Sequence, residues 1–296
     1  MTLNTEHELS VKRGYLNKEF QIFHIKDQEN IEIDYHHHDF NKIILFISGE
    51  VSYIIEGKCY RLKPWDMLFI SNNQIHKPLI SPSKIYDRIV IWINPEFMLK
   101  NNDKDCNLLT CFHLASEEEY SLLRPNLQWR DYISNMIFRI KETDDNEELF
   151  GSRLLKSTLF LELMIMLNRL FLENDKAKNL KDIDYDETIE GILAYINTNL
   201  HKPLSIEQIA SDFYMSKYYL MHKFKSSTGQ SLYNYIIHKR IILAKSLIRK
   251  GLSMGDVCVS CGFEDYSAFV RAFKKIVGIS PKNYDRSYLS ASHPLE

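Results

Sequence analysis

The last third of the chain carries one pattern twice. Residues 205–236 read SIEQIASDFYMSKYYLMHKFKSSTGQSLYNYI, and residues 253–284 read SMGDVCVSCGFEDYSAFVRAFKKIVGISPKNY. Each copy opens on a serine suited to cap a helix, passes through a tight turn, and runs into a second helix ending in Phe-Lys. Phe224-Lys225 and Phe273-Lys274 stand 49 residues apart, as do Gly229 and Gly278. A repeated short helix, turn and second helix predicts two helix–turn–helix units, and no other feature constrains the fold as strongly. Ile209, Ala210, Val257 and Cys258 are the small or apolar residues that set the angle within each unit. Residues 231–251 supply a helical spacer, with Tyr235, Ile236, Ile242, Leu243, Leu247 and Ile248 on a helical period and Gly251 as its stop.

Charge adds a direction. The chain has a net charge of −2, but residues 187–288 hold 14 basic and 8 acidic side chains, while the remainder holds 23 and 31. A basic third on an acidic body points to a polyanion as the partner of the basic part. A helix–turn–helix lays its second helix in the major groove of duplex DNA, and two units joined by a rigid spacer reach groove faces about 34 Å apart.

The first half has a different period. KIILFI, VSYIIEG, KCYRL, DMLFIS and YDRIVIWI are short β-branched or aromatic runs between turn signals, with Gly49 and Gly57 placed for hairpins. They predict a small barrel or sandwich over residues 20–93. From about residue 117 apolar residues recur at three- and four-residue steps. This predicts two or more helices, one over 147–172, apolar on more than one stripe, as a wide core face or a homodimer seam requires. The polar stretch 174–186 reads as a linker.

Several classes are excluded. The densest apolar run, LFLELMIMLNRLF, is broken by Glu162, Asn168 and Arg169, so no membrane span is expected. The N-terminus lacks a signal-peptide pattern, and the 5 cysteines have irregular spacing. A cytoplasmic protein is expected. Cys258 and Cys261 lack the second pair of a zinc or redox site and read as packing.

Residues 187–286 resemble the AraC/XylS family of bacterial transcription regulators. GFEDYSAFVRAFKKIVGISPKNY, from Gly262 to Tyr284, carries the resemblance most clearly, and Ser216, Leu220, Phe224, Lys225, Gly229, Arg240 and Ala244 add to it. Two positions depart from the family pattern: Tyr214 stands where the first turn usually has glycine, and Asp285 where arginine usually follows the last tyrosine. The resemblance implies base-facing residues at Lys217, Tyr218, Met221 and His222 in the first unit. In the second they are Tyr266, Ser267, Ala268 and Arg271. Lys225, Lys274 and Lys275 are placed for phosphates. Arg240 and Phe273 are expected to be structural.

The stretch YHHHDF, residues 35–40, opens a second and looser resemblance, to the cupin-like sensor domain often fused to such DNA-binding domains. HHHDFNKIILFISGE, YIIEGKCYRLKPWDMLFI, NNQIH and YDRIVIWI carry it. Metal-binding cupins use two histidines one residue apart, a glutamate, and a later histidine. His36, His38 and His76 match, but the acid falls at Asn41 or Lys42, and Trp65 replaces a glycine. No metal or other cofactor is therefore expected, although three imidazoles alone can hold zinc. The resemblance implies instead a small-molecule pocket using His36, His38, His76, Arg88 and Trp92, a set suited to a sugar or related metabolite. The plainer reading leaves His36 and His38 as partly exposed strand-edge residues.

The expectation is an α+β two-domain chain. Residues 1–173 form a cupin-like β-barrel or sandwich followed by helices, which senses a ligand and dimerises. Residues 174–186 link it to an all-α DNA-binding domain over 187–288, and 289–296 form a tail. Double-stranded DNA, a small-molecule effector, a second copy of the chain and, for an activator, RNA polymerase are the expected partners. The alternatives are a metal-dependent cupin enzyme with an appended DNA-binding domain, and a regulator without an effector.

Overall fold

The computed structural model describes residues 16, 18–28, 33–117, 120–146, 148–174 and 183–292. They fall into two compact units that divide between Asp184 and Tyr185.

The first unit is built on two antiparallel sheets. Its strands are β1 (Phe20–Asp27), β2 (Asn41–Ser48), β3 (Val51–Ile55), β4 (Lys58–Arg61), β5 (Met67–Ile70), β6 (His76–Ile80), β7 (Tyr86–Ile93), β8 (Leu122–Leu123) and β9 (Ile183–Asp184). One sheet runs β1-β7-β2-β5-β8 and the other β6-β3-β4-β9. Side chains alternate along β2 and so serve two cores. Ile43 and Leu45 pack with the helices, whereas Ile44 and Phe46 meet Tyr53, Ile55 and Tyr60 of the other sheet. Gly57 turns the β3–β4 hairpin at φ 82°. Gly49 (φ 131°) does not make the expected hairpin, because β2 and β3 lie in different sheets; it passes the chain between them.

Four helices cover the first sheet: α1 (Pro95–Lys100), α2 (Thr110–Glu117), α3 (Leu127–Asp145) and α4 (Ser152–Asn174). The helical reading from residue 117 onward needs one correction. Leu122 and Leu123 are strand β8, paired with Leu68 and Met67, because an apolar pair beside a sheet edge finds backbone partners there. The breaks in the apolar run of α4 have separate reasons. Asn168 is buried and ties down the loop before α2, donating to Leu108 O at 2.9 Å and accepting from Cys111 N at 2.8 Å. Glu162 is on the outside, where it accepts from Tyr132 Oη at 3.0 Å. Of the expected linker, residues 175–182 lie outside the described residues, Ile183 and Asp184 pair with β4, and Asp186 caps a helix.

The second unit is all helix: α5 (Glu187–Thr198), α6 (Ile206–Asp212), α7 (Lys217–Thr228), α8 (Leu232–Arg249), α9 (Met254–Ser260), α10 (Tyr266–Val277) and α11 (Pro281–Ser292). Both predicted serine caps form: Ser205 Oγ accepts from Gln208 N at 3.0 Å and Ser253 Oγ from Asp256 N at 3.2 Å. The buried stripe of α8 runs through Leu232, Tyr235, Ile236, Ile241, Ala244, Lys245 and Ile248. Ile242, Leu243 and Leu247, expected on that stripe, are only half-buried at its margin. Helix α11 continues to Ser292, into residues expected to be tail.

Candidate functional site

Helices α7 and α10 have the same construction. Each is capped at its start, by Ser216 accepting from Tyr219 N at 3.2 Å and by Asp265 accepting from Ala268 N at 2.7 Å. Each ends on a left-handed glycine, Gly229 (φ 72°) and Gly278 (φ 87°). The inner faces hold Leu220 and Phe224 in one and Phe269 and Phe273 in the other, all fully buried. This leaves the opposite faces to solvent. Lys217, Tyr218, Met221, His222 and Lys225 are exposed on α7, as are Tyr266, Ser267, Arg271, Lys274 and Lys275 on α10; Ala268 is half-buried.

Some of these side chains have company. Lys217 pairs with Glu207 of α6, so contact with a nucleic acid has to displace that pair. Tyr218 lies parallel to His222 with ring centroids 6.4 Å apart. Arg271 sits 3.7 Å from Asp265 while 74% of its side chain is exposed, a loose pairing that costs little to break. Arg240 is structural: it donates to Leu200 O at 3.2 Å and to Lys202 O at 2.8 Å. Cys258 and Cys261 are buried, Cys258 Sγ donates to Phe263 O at 3.6 Å, and burial pushes the Cys261 thiol up to about 12. Both are inert packing groups.

In the first unit the structure gathers His36, His38 and His76. A backbone bridge joins His36 and His76, with hydrogen bonds of 3.1 and 3.0 Å. The ring centroids are 4.4 Å apart for His36 and His76, 5.0 Å for His36 and His38, and 5.4 Å for His38 and His76. His38 stacks on Phe40 at 4.5 Å and has Trp92 6.3 Å away. His36 Nδ1 lies 2.7 Å from Asp34 O, and His76 Nδ1 2.9 Å from Gln74 O. A carbonyl only accepts, so in both rings the proton sits on Nδ1 and Nε2 carries the lone pair.

Lys42 completes this group, and sequence reasoning treated it only as a missing acid. Its ammonium donates to His76 Nε2 at 3.2 Å. Its place follows from the register: Lys42 pairs with Trp92 and alternates with Ile44 and Phe46, so it shares their inward face. A lysine in phase with buried residues of a strand was the available signal. Burial, with Arg88's charge adding to it, pushes the Lys42 amine down to about 7. Burial and then Lys42 push His36 down to about 4 and His76 well below the usual imidazole range. His36 and His76 are therefore uncharged at neutral pH. Arg88, expected in the same pocket, pairs with Phe46 and so shares the face of Lys42 and Trp92; its Nη1 donates to Asp27 at 2.7 Å and to Tyr86 O at 3.1 Å, and its guanidinium lies over the Tyr86 ring. A cleft of about 490 Å³ lies apart from the cluster, lined by residues including Lys18, Phe20, Arg153 and Lys156.

Comparison with known proteins gives the two halves their kinship. Residues 21–99 match the AraC-like ligand binding domain and residues 209–287 a helix-turn-helix domain. The probable transcriptional regulator LumQ of Photobacterium leiognathi is 26% identical over 251 residues, covering 84% of this chain and 91% of LumQ. The transcriptional activator RhaR of Pectobacterium carotovorum is 22% identical over 263 residues, 86% of this chain and 87% of RhaR. Among solved structures, the DNA-binding domain of the transcriptional factor AdpA in complex with a target DNA is 28% identical, covering 36% of this chain and 96% of that one, with a TM-score of 0.34. Among the described residues no helix is long and apolar enough to cross a membrane. A ligand-binding domain followed by a doubled helix–turn–helix places this chain in the AraC family of DNA-binding transcription regulators.

Proposed function

We propose that the chain is a ligand-responsive activator, working as a cytoplasmic homodimer and not as an enzyme. The observation that carries the reading is the pair of matched helices, α7 and α10, each with one apolar face sunk in its unit and one polar and aromatic face in solvent. Arg271 is assigned a guanine edge, and Lys225, Lys274 and Lys275 phosphates. Activation, and with it contact to RNA polymerase, is supported by the activators among its relatives.

The effector reading rests on the first unit. A hydroxylated metabolite such as a sugar can donate to the imidazoles of His36 and His38, accept from Lys42, which His76 holds in place, and from Arg88, and lie against Trp92. Self-association is supported by apolar side chains left in solvent on α3 and α4, among them Phe138, Leu154 and Leu155. Effector binding then alters which DNA sites a dimer spans, and by linkage DNA alters effector affinity by the same factor.

A thermal-shift screen of the full chain against sugars and sugar phosphates tests the effector, because a ligand at 100 times its dissociation constant adds about 2.7 kcal/mol of stability. A hit whose affinity is unchanged by saturating operator DNA overturns the coupling. The absence of any hit favours a regulator that only dimerises.

A further inference from the structure

The charges on the inner face of the first sheet do not balance. Strand register sets Lys42, Ile44 and Phe46 of β2 beside Trp92, Val90 and Arg88 of β7, so one stripe carries a cation on each strand, at opposite ends. Arg88 has a counter-charge in Asp27, 2.7 Å away, and only 12% of its side chain is exposed. Lys42 has none: among the described residues its polar partner is His76 Nε2, at 3.2 Å. Two cations therefore share one carboxylate.

Burying a charge is costly unless it is paired. Burial and Arg88 already oppose the charge on Lys42, and a bound carboxylate counters both. Both cations also have donors to spare. An ammonium has three, and His76 takes one. Arg88 engages Asp27 and Tyr86 O through Nη1, which leaves Nε and Nη2 without a partner among the described residues. An excess of one charge matches a carboxylate. A phosphate monoester brings roughly −1.5 to −2 at neutral pH, more than the stripe offsets. Between the cations lie Ile44, Val90 and Trp92, with Phe23 edge-on to Trp92 at 4.9 Å, an apolar wall for a carbon skeleton.

We propose that the effector is a monocarboxylate, a hydroxylated acid of the uronic or aldonic type, whose carboxylate pairs with Lys42 and takes Arg88 as its second donor. This rests on the effector pocket of the reading above and narrows its occupant from a neutral sugar to an acid. The ligand brings the counter-charge that the stripe lacks, and its hydroxyls are left for His36 and His38.

Calorimetry and thermal shift on the full-length protein test it, with a panel of uronic and aldonic acids, each beside its neutral aldose. Wild type, Lys42→Gln and Lys42→Arg are compared, and circular dichroism confirms folding. In wild type an acid is expected to bind at least about tenfold more tightly than its neutral partner. Lys42→Gln loses that preference, and Lys42→Arg, which keeps the charge, retains it. Without ligand, Lys42→Gln is expected to melt above wild type, because the unpaired charge is gone. A neutral sugar that binds as tightly as its acid overturns the carboxylate and leaves the effector pocket standing. A preference for the acid that is unchanged in folded Lys42→Gln overturns the role of Lys42. A ligand-free Lys42→Gln that melts below wild type overturns the unpaired charge. No response to any acid or aldose overturns the carboxylate and the sugar reading together.

Discussion

The two helix–turn–helix units make the same turn with different residues. In the first, Tyr214 N donates to Ser211 O at 3.1 Å and Met215 N to Ala210 O at 2.8 Å. In the second, Gly262 N donates to Val259 O at 2.9 Å and Phe263 N to Cys258 O at 3.1 Å. Tyr214 and Gly262 therefore hold equivalent places, and both are left-handed, at φ 54° and 74°. The second turn is then one residue longer before its helix begins. Their surroundings differ. A Cβ on Gly262 would stand 2.3 Å from Leu200 O and 2.9 Å from Arg240 Nη2. Tyr214 is 98% exposed, with no such crowding to forbid its side chain. The repeat preserves a hydrogen-bond pattern, and glycine is obligatory only where packing closes over it. The departure at Tyr214 alters the strain of the turn and leaves its path intact.

The largest test of that equivalence is at Phe224 and Phe273, one per unit and both fully buried. Replacing either by alanine should cost about 3–5 kcal/mol in urea unfolding. A marked inequality would break the view that the units are matched packing modules. Next is the turn. Gly262→Ala should cost about 2–3 kcal/mol, from the clash with Leu200 O and the left-handed backbone together. Tyr214→Ala should be close to neutral by the same measurement, and equal costs would sink the contrast.

DNA recognition sharpens the comparison further. Arg271 and His222 lie 49 residues apart, at equivalent places on α10 and α7. Arg271→Ala should lose about 1–3 kcal/mol of preference for the correct base while keeping salt-dependent affinity for any duplex. His222→Ala should lose less, and a reversed order in a binding-site selection would show that α7 dominates reading. The smallest effect is Tyr214→Gly, which should raise stability by roughly 0.5–1 kcal/mol through relief of the left-handed tyrosine. A loss of stability would mean that the exposed ring makes contacts worth more than the strain.

The doubled unit was legible because its signals are local. Serine caps, glycine stops and the spacing of Phe224 and Phe273 act within a few residues of themselves, and 49-residue periodicity shows in the letters. The spacer helix was read less well. Its buried stripe is turned toward Ile241, Ala244 and Lys245, because which flank of a broadly apolar helix is covered depends on neighbours far along the chain.

The sensor half shows the limit more clearly. Strand alternation and the family resemblance together brought His36, His38 and His76 into one expected site, and the structure groups them. Lys42 went the other way. Lys42 looked like a defect in a ligand set, and it lies on His76, 34 residues away. Arg88 was expected to line the pocket, and its ion pair with Asp27, 61 residues away, shows only in the fold.

By itself, the sequence determined two domains, the order β then α, the two helix–turn–helix units and the helix faces that meet solvent. Those follow from periodicity, capping and charge, which are properties of short segments. Tertiary structure alone decided which sheet each strand joins, that Gly262 has no room for a Cβ, and that Lys42 joins the three imidazoles. Those depend on strand register and on atoms brought together across tens of residues, and no local pattern encodes such distances.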